Sequence, residues 1–374
     1  MRRALFIYDS PEKNADLYYA TRFRAPDAFI FFMVGRKKYA VLNDLEIDRA
    51  RREARVDRIL SINPYVKRAE SKKRVPGQAD VVHEILSERG VDALVVPRDA
   101  PYGLIAAMRK KGYKVEVGPH PFFPERLKKS AEERGFILRS QRALFAAMRM
   151  ARDTLAASKI RNGRLVHRGS ALTSDRLRTM INVFLLERGY LAADTIVSCG
   201  SHAVDPHDIG SGPLKARSSI IVDIFPRSLS TWYYGDATRT FCRGRAPEGL
   251  KKLYAAVKGA QSMAIGMVKA GANGRRIHEA IHERFKSKGF PTRVRKGRNE
   301  GFFHGTGHSI GLEVHEEPAR ITYRDYRLRK GNVLSVEPGL YYPGVGGVRI
   351  EDLVYVKGSG CDVLGNFPKQ LEIL

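Results

Sequence analysis

The chain has 374 residues, with 66 Lys and Arg against 40 Asp and Glu, a formal charge of +26 and 43% hydrophobic residues. Such a composition belongs to a soluble globular protein, and no run approaches the roughly 18 consecutive apolar residues that a membrane span needs. Length favours two domains with large buried cores.

The N-terminal residues 1–9 have too short an apolar stretch for a secretory signal and read as a first strand. Strand-like runs at Ala4–Tyr8, Ala28–Phe32, Tyr39–Leu42, Ala93–Val96 and Val115–Val117 alternate with helical stretches at Asp44–Ile59 and Ala79–Arg89. Three prolines in Gly118–Pro124 resist regular structure and mark a boundary near residue 125. A helix over Gln141–Ser158 opens the second part. Thr173 caps another that runs to Arg188 and ends at Gly189. Helices over Glu248–Lys269 and Arg275–Lys288 follow, the second capped near Asn273 and closed by Gly289. Val336-Glu337 ends one β-run, and Val348–Val356 is another, which places Arg349 and Glu351 on one face.

Five side chains in the second part form one candidate site: Asp223, Asp236, His308, Glu337 and Glu351. Four carboxylates and one imidazole suit hard or borderline divalent ions. Two such ions about 3.5–4 Å apart would clamp a water and polarise a carbonyl. Surface charge is the alternative for these carboxylates, but Asp223 and Glu337 close apolar runs, where an unpaired charge is costly to bury.

The segments carrying them are Ile220–Asp223, Tyr234–Thr240, His304–Glu316, Val336–Gly339 and Gly347–Asp352. In this order they resemble the pita-bread metallopeptidase family, which includes methionine aminopeptidase, aminopeptidase P and Xaa-Pro dipeptidase (prolidase). The match spans roughly Gly200 to Glu351. The resemblance implies an α/β (α+β) chain: a creatinase/prolidase-like α/β domain over residues 1–125, then a pita-bread catalytic domain over 126–374. It also implies two divalent metal ions (Mn, Co, Zn or Fe). Asp236 and Glu351 would bridge them, with Asp223 on one ion and His308 and Glu337 on the other. Glu337 matches the family's general base, His315 a histidine at the oxyanion, and His207 one that lines the substrate pocket. Arg349 matches an arginine on the proline side, and His304 and Tyr341 have counterparts that contact substrate. The expected substrate is a peptide with proline at its second position, the expected assembly a homodimer, and the expected activity Xaa-Pro dipeptidase or aminopeptidase P. The domain of about 125 residues and the Arg349 match favour prolyl specificity. One departure is local: where the family more often has Gly after the first Asp and a shorter gap, Ile224–Arg227 follows Asp223 here. The loop Arg227–Tyr234 is correspondingly enlarged and carries the chain's one tryptophan, Trp232.

Other signals are set aside. His278-Glu279-Ala280-Ile281-His282 fits a helical zinc motif, but no third ligand follows at a familiar spacing; the helix is expected in an outer layer with its histidines partly exposed. Cys199 near His202 or His207 imitates a nucleophile and reads as structural. Three cysteines at unrelated spacings speak against a disulfide framework and for a reducing cytoplasm. The positive charge invites a nucleic-acid partner. Its runs at Arg49–Arg58, Lys72–Arg74, Arg293–Arg298 and Arg324–Lys330 are scattered and lack stacking aromatics, so no nucleic-acid module and no membrane contact is expected. The rival reading is a non-catalytic pita-bread binding protein with a basic surface. A metal-free, creatinase-like hydrolase is a further one. The intact set of five ligands disfavours both.

Overall fold

A computed structural model describes residues 2–73 and 75–374. Met1 of the expected first strand and Arg74 of the basic run lie outside the described residues. The chain divides into two compact units, Met1–Arg126 and Leu127–Leu374.

The first unit is built on a mixed six-stranded sheet. Its spatial order is Arg58–Ser61, Lys37–Leu42, Phe29–Val34, Arg3–Asp9, Ala93–Val96 and Lys114–Val117. Alternation along the strands sends Phe6, Ile30, Phe32 and Val41 into one apolar cluster and Ile7, Phe31, Ala40 and Leu42 into another. Strand Phe29–Val34 is therefore covered on both faces, which explains its continuous apolar run. The expected helix Asp44–Ile59 is shorter. It covers Ile47–Glu53, and Arg58–Ser61 becomes a strand parallel to Lys37–Leu42. Helices Ala15–Thr21, Asn63–Lys72 and Tyr102–Lys110 complete the unit, none of them expected.

The second unit pairs two sheets with two helices each. A four-stranded sheet holds Ile196–Cys199, Ile220–Ile224, Ala237–Arg243 and Glu372–Ile373. Helices Ala131–Ala157 and Ser174–Leu186 share its apolar cluster. A five-stranded sheet holds Glu316–Ile321, Gly307–Ser309, Val333–Val336, Asp352–Val356 and Cys361–Val363. Helices Glu248–Met267 and Gly274–Ser287 pack on that side. The first helix begins ten residues before the expected Gln141, because Ser130 and Glu133 form a capping box at its start. Thr173 and Asn273 cap the helices that they were expected to cap. The expected strand Val348–Val356 is two strands, Gly346–Arg349 and Asp352–Val356, which break at Ile350-Glu351. At that break the chain leaves a hairpin with Gly339–Tyr342 and enters the five-stranded sheet. Among the described residues, no helix is long and apolar enough to cross a membrane.

Candidate metal centre

Each of the five expected ligands lies in or beside a strand of these two sheets. Asp223 is in Ile220–Ile224, and Asp236 immediately precedes Ala237–Arg243 on the neighbouring strand. His308 is central in the short strand Gly307–Ser309. Gly307 is required there, since a Cβ would lie 1.9 Å from the carbonyl oxygen of Ser335. Glu337 follows Val333–Val336, and Glu351 occupies the break before Asp352–Val356.

These positions converge. Single ligand atoms of Asp236, His308 and Glu351 all lie within 4.8 Å of one another. His308 Nε2 is 3.6 Å from Asp236 Oδ2 and 3.3 Å from Glu337 Oε1. Thr238 Oγ1 donates to Glu351 Oε2 at 2.7 Å, and Ser335 Oγ to Glu337 Oε1 at 3.1 Å. Arg349 Nη2 donates to Asp223 Oδ2 at 2.7 Å, whereas Asp223 Oδ1 is buried without a hydrogen-bond partner.

Burial, followed by repulsion from Asp223, drives the Asp236 pKa well above the ordinary carboxylate range. Glu351 moves the same way through burial and then the charge of Asp236. Burial also opposes ionisation of Glu337 and His308, but their mutual hydrogen bond and attraction outweigh it. Glu337 falls to about 2 and His308 rises to about 9. Carboxylates crowded in this way require cations that the polypeptide supplies only in part. The orphaned oxygen of Asp223 and the oxygen-rich donor set fit divalent metal.

Helix Ala131–Ala157 fixes the Asp236 segment by three side chains. Gln141 Oε1 accepts from the Asp236 N–H at 3.1 Å, and Gln141 Nε2 donates to the Asp236 carbonyl at 3.0 Å. Ser140 Oγ donates to the Tyr233 carbonyl at 2.8 Å, and Tyr233 OH donates to Glu133 at 2.5 Å. A second buried network lies behind Glu351. Arg239 Nη1 donates to the Glu351 carbonyl at 2.5 Å, while its Nη2 lies 2.6 Å from Asp352 Oδ1. Lys369 Nζ reaches Asp352 Oδ2 at 2.6 Å, and Gln261 Nε2 bridges that oxygen to the carbonyl of Val336, one residue before Glu337. One carboxylate thus ties together the segments carrying Glu337 and Glu351.

A cleft of about 470 Å³ opens onto the ligands, lined also by His207, His304, His315 and Arg349. The His315 ring stands edge-on to His308 at 4.3 Å, and burial followed by the nearby His308 charge takes its pKa down to about 4. Tyr341, expected to contact substrate, is instead fully buried and does not line the cleft. Its hydroxyl accepts from Arg349 Nη1 at 3.0 Å and lies 2.9 Å from His304 Nε2. Arg349 donates further to the Pro206 carbonyl and to Thr238, so its guanidinium holds Asp223 and the loop before His207. Asp194, Phe225, Val314, Arg320 and Thr322 line the cleft as well, none of them expected from sequence. Phe225 lies two residues before the enlarged loop, whereas Trp232 in that loop is not a lining residue and stacks on Arg227 at 5.3 Å.

The zinc-like histidines go elsewhere. His278 is buried rather than partly exposed, since its Nδ1 lies 2.9 Å from Thr306 Oγ1 and its ring packs on His282 and Phe302. Cys199 is buried, and that burial raises its thiol pKa, which is the reverse of nucleophile activation.

Two helix-backed sheets meeting at a carboxylate-rich, imidazole-bearing centre define a pita-bread metallopeptidase. The model of metallopeptidase family M24 matches residues 137–358, and the chain belongs to that family. Over 180 residues the chain is 33% identical to an Xaa-Pro dipeptidase of Pyrococcus furiosus, covering 48% of this chain and 49% of that protein. A peptidase of Bacillus subtilis named YqhT, itself uncharacterized, is 33% identical over 181 residues, again 48% and 49% of the two chains. The chain thus spans about half the length of the curated relatives it matches. The fold extends further. An X-Pro aminopeptidase structure from Thermotoga maritima superposes with a TM-score of 0.83 at 21% identity, covering 100% of this chain and 98% of that one. An Xaa-Pro dipeptidase structure from Bacillus anthracis gives 0.82 at 24% identity, covering 100% and 95%. Family membership implies divalent metal, and Asp236, His308 and Glu351 form a group that could hold such an ion.

Proposed function

We propose that this protein hydrolyses the peptide bond of Xaa-Pro substrates, as an Xaa-Pro dipeptidase or aminopeptidase P, with two divalent ions held by Asp223, Asp236, His308, Glu337 and Glu351. The observation that carries the reading is the set of four carboxylates lining one cleft, one with a buried oxygen that nothing among the described residues satisfies. Asp236 and Glu351, grouped with His308, would hold metal. Manganese, cobalt, zinc and iron all suit the donors. Such ions supply Lewis acidity toward the scissile carbonyl and lower the pKa of water.

The chain's own residues do the rest. Glu337 takes a proton on its carboxylate as water attacks and returns it to the leaving proline nitrogen. His315, a neutral imidazole beside His308, donates to the oxygen that gains charge. His207 and His304 shape the substrate side, and Arg349 orients Asp223. The names of the relatives, Xaa-Pro dipeptidase and X-Pro aminopeptidase, support the proline preference. In this reading Met1–Arg126 is the creatinase/prolidase-like domain, Leu127–Leu374 is the catalytic domain, and the protein is a cytoplasmic homodimer. The ligand set is complete, which leaves a non-catalytic binding role without support from the site.

Metal analysis of the purified protein, run beside a peptide panel, tests the proposal. Cleavage of Xaa-Pro alone identifies a dipeptidase, and release of the first residue from Xaa-Pro-Yaa an aminopeptidase P. Absence of bound metal together with no hydrolysis under Mn²⁺ or Co²⁺ removes the proposal.

A further inference from the structure

Strands Lys159–Arg161 and Arg164–His167 form a ribbon around the two-residue turn Asn162-Gly163, both of whose residues have positive φ. The register pairs Lys159 with Val166 and Arg161 with Arg164. On its other edge Arg164 bridges to Lys215. Residues directly opposite in an antiparallel pair share a face, as do residues two apart in a strand. Lys159, Arg161, Arg164 and Lys215 therefore stand on one face of the ribbon. The other face carries Leu165, which is buried, and Ile160, which is exposed and extends beside the open side of Gly244.

All four cations are exposed, as are Arg217, whose side chain passes beside Gly244, and Arg245, next to that glycine in the chain. Arg217 joins the group through its N–H bond to the Arg243 carbonyl. Among the described residues none of these six makes an ion pair, whereas Arg51, Arg68, Arg178, Arg275 and Arg298 each hold a carboxylate. Residues 158–174 and 211–222 contain no Asp or Glu at all. Like charges facing each other across strands destabilise a ribbon. Here Arg161–Arg164 and Arg164–Lys215 do so twice in succession without an internal counterion.

We propose that this face binds the phosphodiester backbone of nucleic acid, independently of base sequence. A polyanion relieves the repulsion at several points at once, and each phosphate neutralised releases condensed counterions. The two segments contain no Phe, Tyr or Trp, so there is nothing on which bases could stack. On this face the ribbon's apolar side chains are half-buried Val166 and small Ala171, without the large aromatic or aliphatic anchors that a membrane-surface site needs; Ile160 is on the opposite side. These residues lie outside the basic runs that stand out in the sequence. The fold assembles the site from segments about 50 positions apart.

The test uses the whole protein with a fluorescent mixed-sequence 20-base-pair duplex, its affinity measured by anisotropy between 50 and 200 mM salt. The expected slope of log affinity against log salt is about −3 to −4, for roughly four phosphate contacts. Arg161→Glu with Arg164→Glu weakens binding at least tenfold and makes the slope shallower by about two. The same charge change at exposed sites of the first unit, Arg52→Glu with Lys110→Glu, leaves both nearly unchanged. Thermal melting and peptidase turnover remain at wild-type values in both double variants. Should the Glu pair fail to fold, Arg161→Gln with Arg164→Gln replaces it. No binding at 50 mM salt overturns the proposal, as does equal weakening by both double variants, which would make net charge the cause. Binding to phosphatidylglycerol vesicles but not to the duplex overturns it in favour of a lipid surface.

Discussion

The first unit and the candidate metal centre of the second treat buried charge in opposite ways. In Met1–Arg126 each buried acid is answered locally. Asp16 meets Arg126 at 3.0 Å and the N–H groups of Phe122 and Phe123, and Glu84 meets Lys72 at 2.8 Å. In Leu127–Leu374, Asp223, Asp236, Glu337 and Glu351 converge while one guanidinium and one imidazole face them. A region whose task is to stay folded satisfies its polar atoms. A region that leaves carboxylate oxygens short of partners is shaped around something the chain does not contain.

That contrast can be broken experimentally, and the largest effect should come at its centre. Glu337→Gln in metal-loaded protein should lower kcat for an Xaa-Pro substrate by about 10²–10⁴-fold with little change in melting temperature. A loss below tenfold in steady-state kinetics would take Glu337 out of the proton path. In the first unit the expected effect is on stability alone. Phe31→Ala, at a fully buried position, should cost about 3–5 kcal/mol in denaturant unfolding of that unit. Metal content should stay the same, and its parallel loss would mean that the two units do not behave separately.

A smaller effect is expected behind the site. Asp352→Asn removes the negative charge and one of the two carboxylate oxygens that Arg239, Lys369 and Gln261 occupy between them, and should weaken metal binding about 10–100-fold in chelator competition. Unchanged affinity would show that the ligand segments hold themselves. The smallest effect belongs to His278, whose pKa burial lowers from 6.5 to about 4. A histidine kept neutral by folding contributes stability above pH ~6.5 that is lost as pH falls toward 4, because the unfolded chain binds the proton more readily. The melting temperature of wild type should therefore fall relative to His278→Leu across that interval, with metal content and turnover intact. Loss of metal in the variant would restore the zinc-like motif as a ligand site.

The residues that reach the centre were legible because each lies in a short segment of recognisable composition. What surrounds them was not. Gln141 and Asp236 are 95 positions apart, and nothing local to either announces the other. Arg239, Asp352 and Lys369 look like ordinary surface charges until their burial is known. The Tyr341 segment matched, but its hydroxyl faces Arg349 rather than the cleft, a distinction set by packing. Strand Arg58–Ser61 was hidden inside a helical pattern because its parallel partner, Lys37–Leu42, lies across a helix in the chain. The ribbon at Asn162-Gly163 has a hairpin signal in its turn dipeptide, but one weaker than the helix signals on either side of it.

The clamp that Gln141 places on Asp236 limits how this protein can be dissected. A fragment that begins at the first ligand strand would contain every donor for metal and still leave one of them on a segment with no splint. Any attempt at a minimal catalytic module must therefore start upstream of the helix opening at Ala131, and swaps between relatives should carry that helix together with the strand it braces.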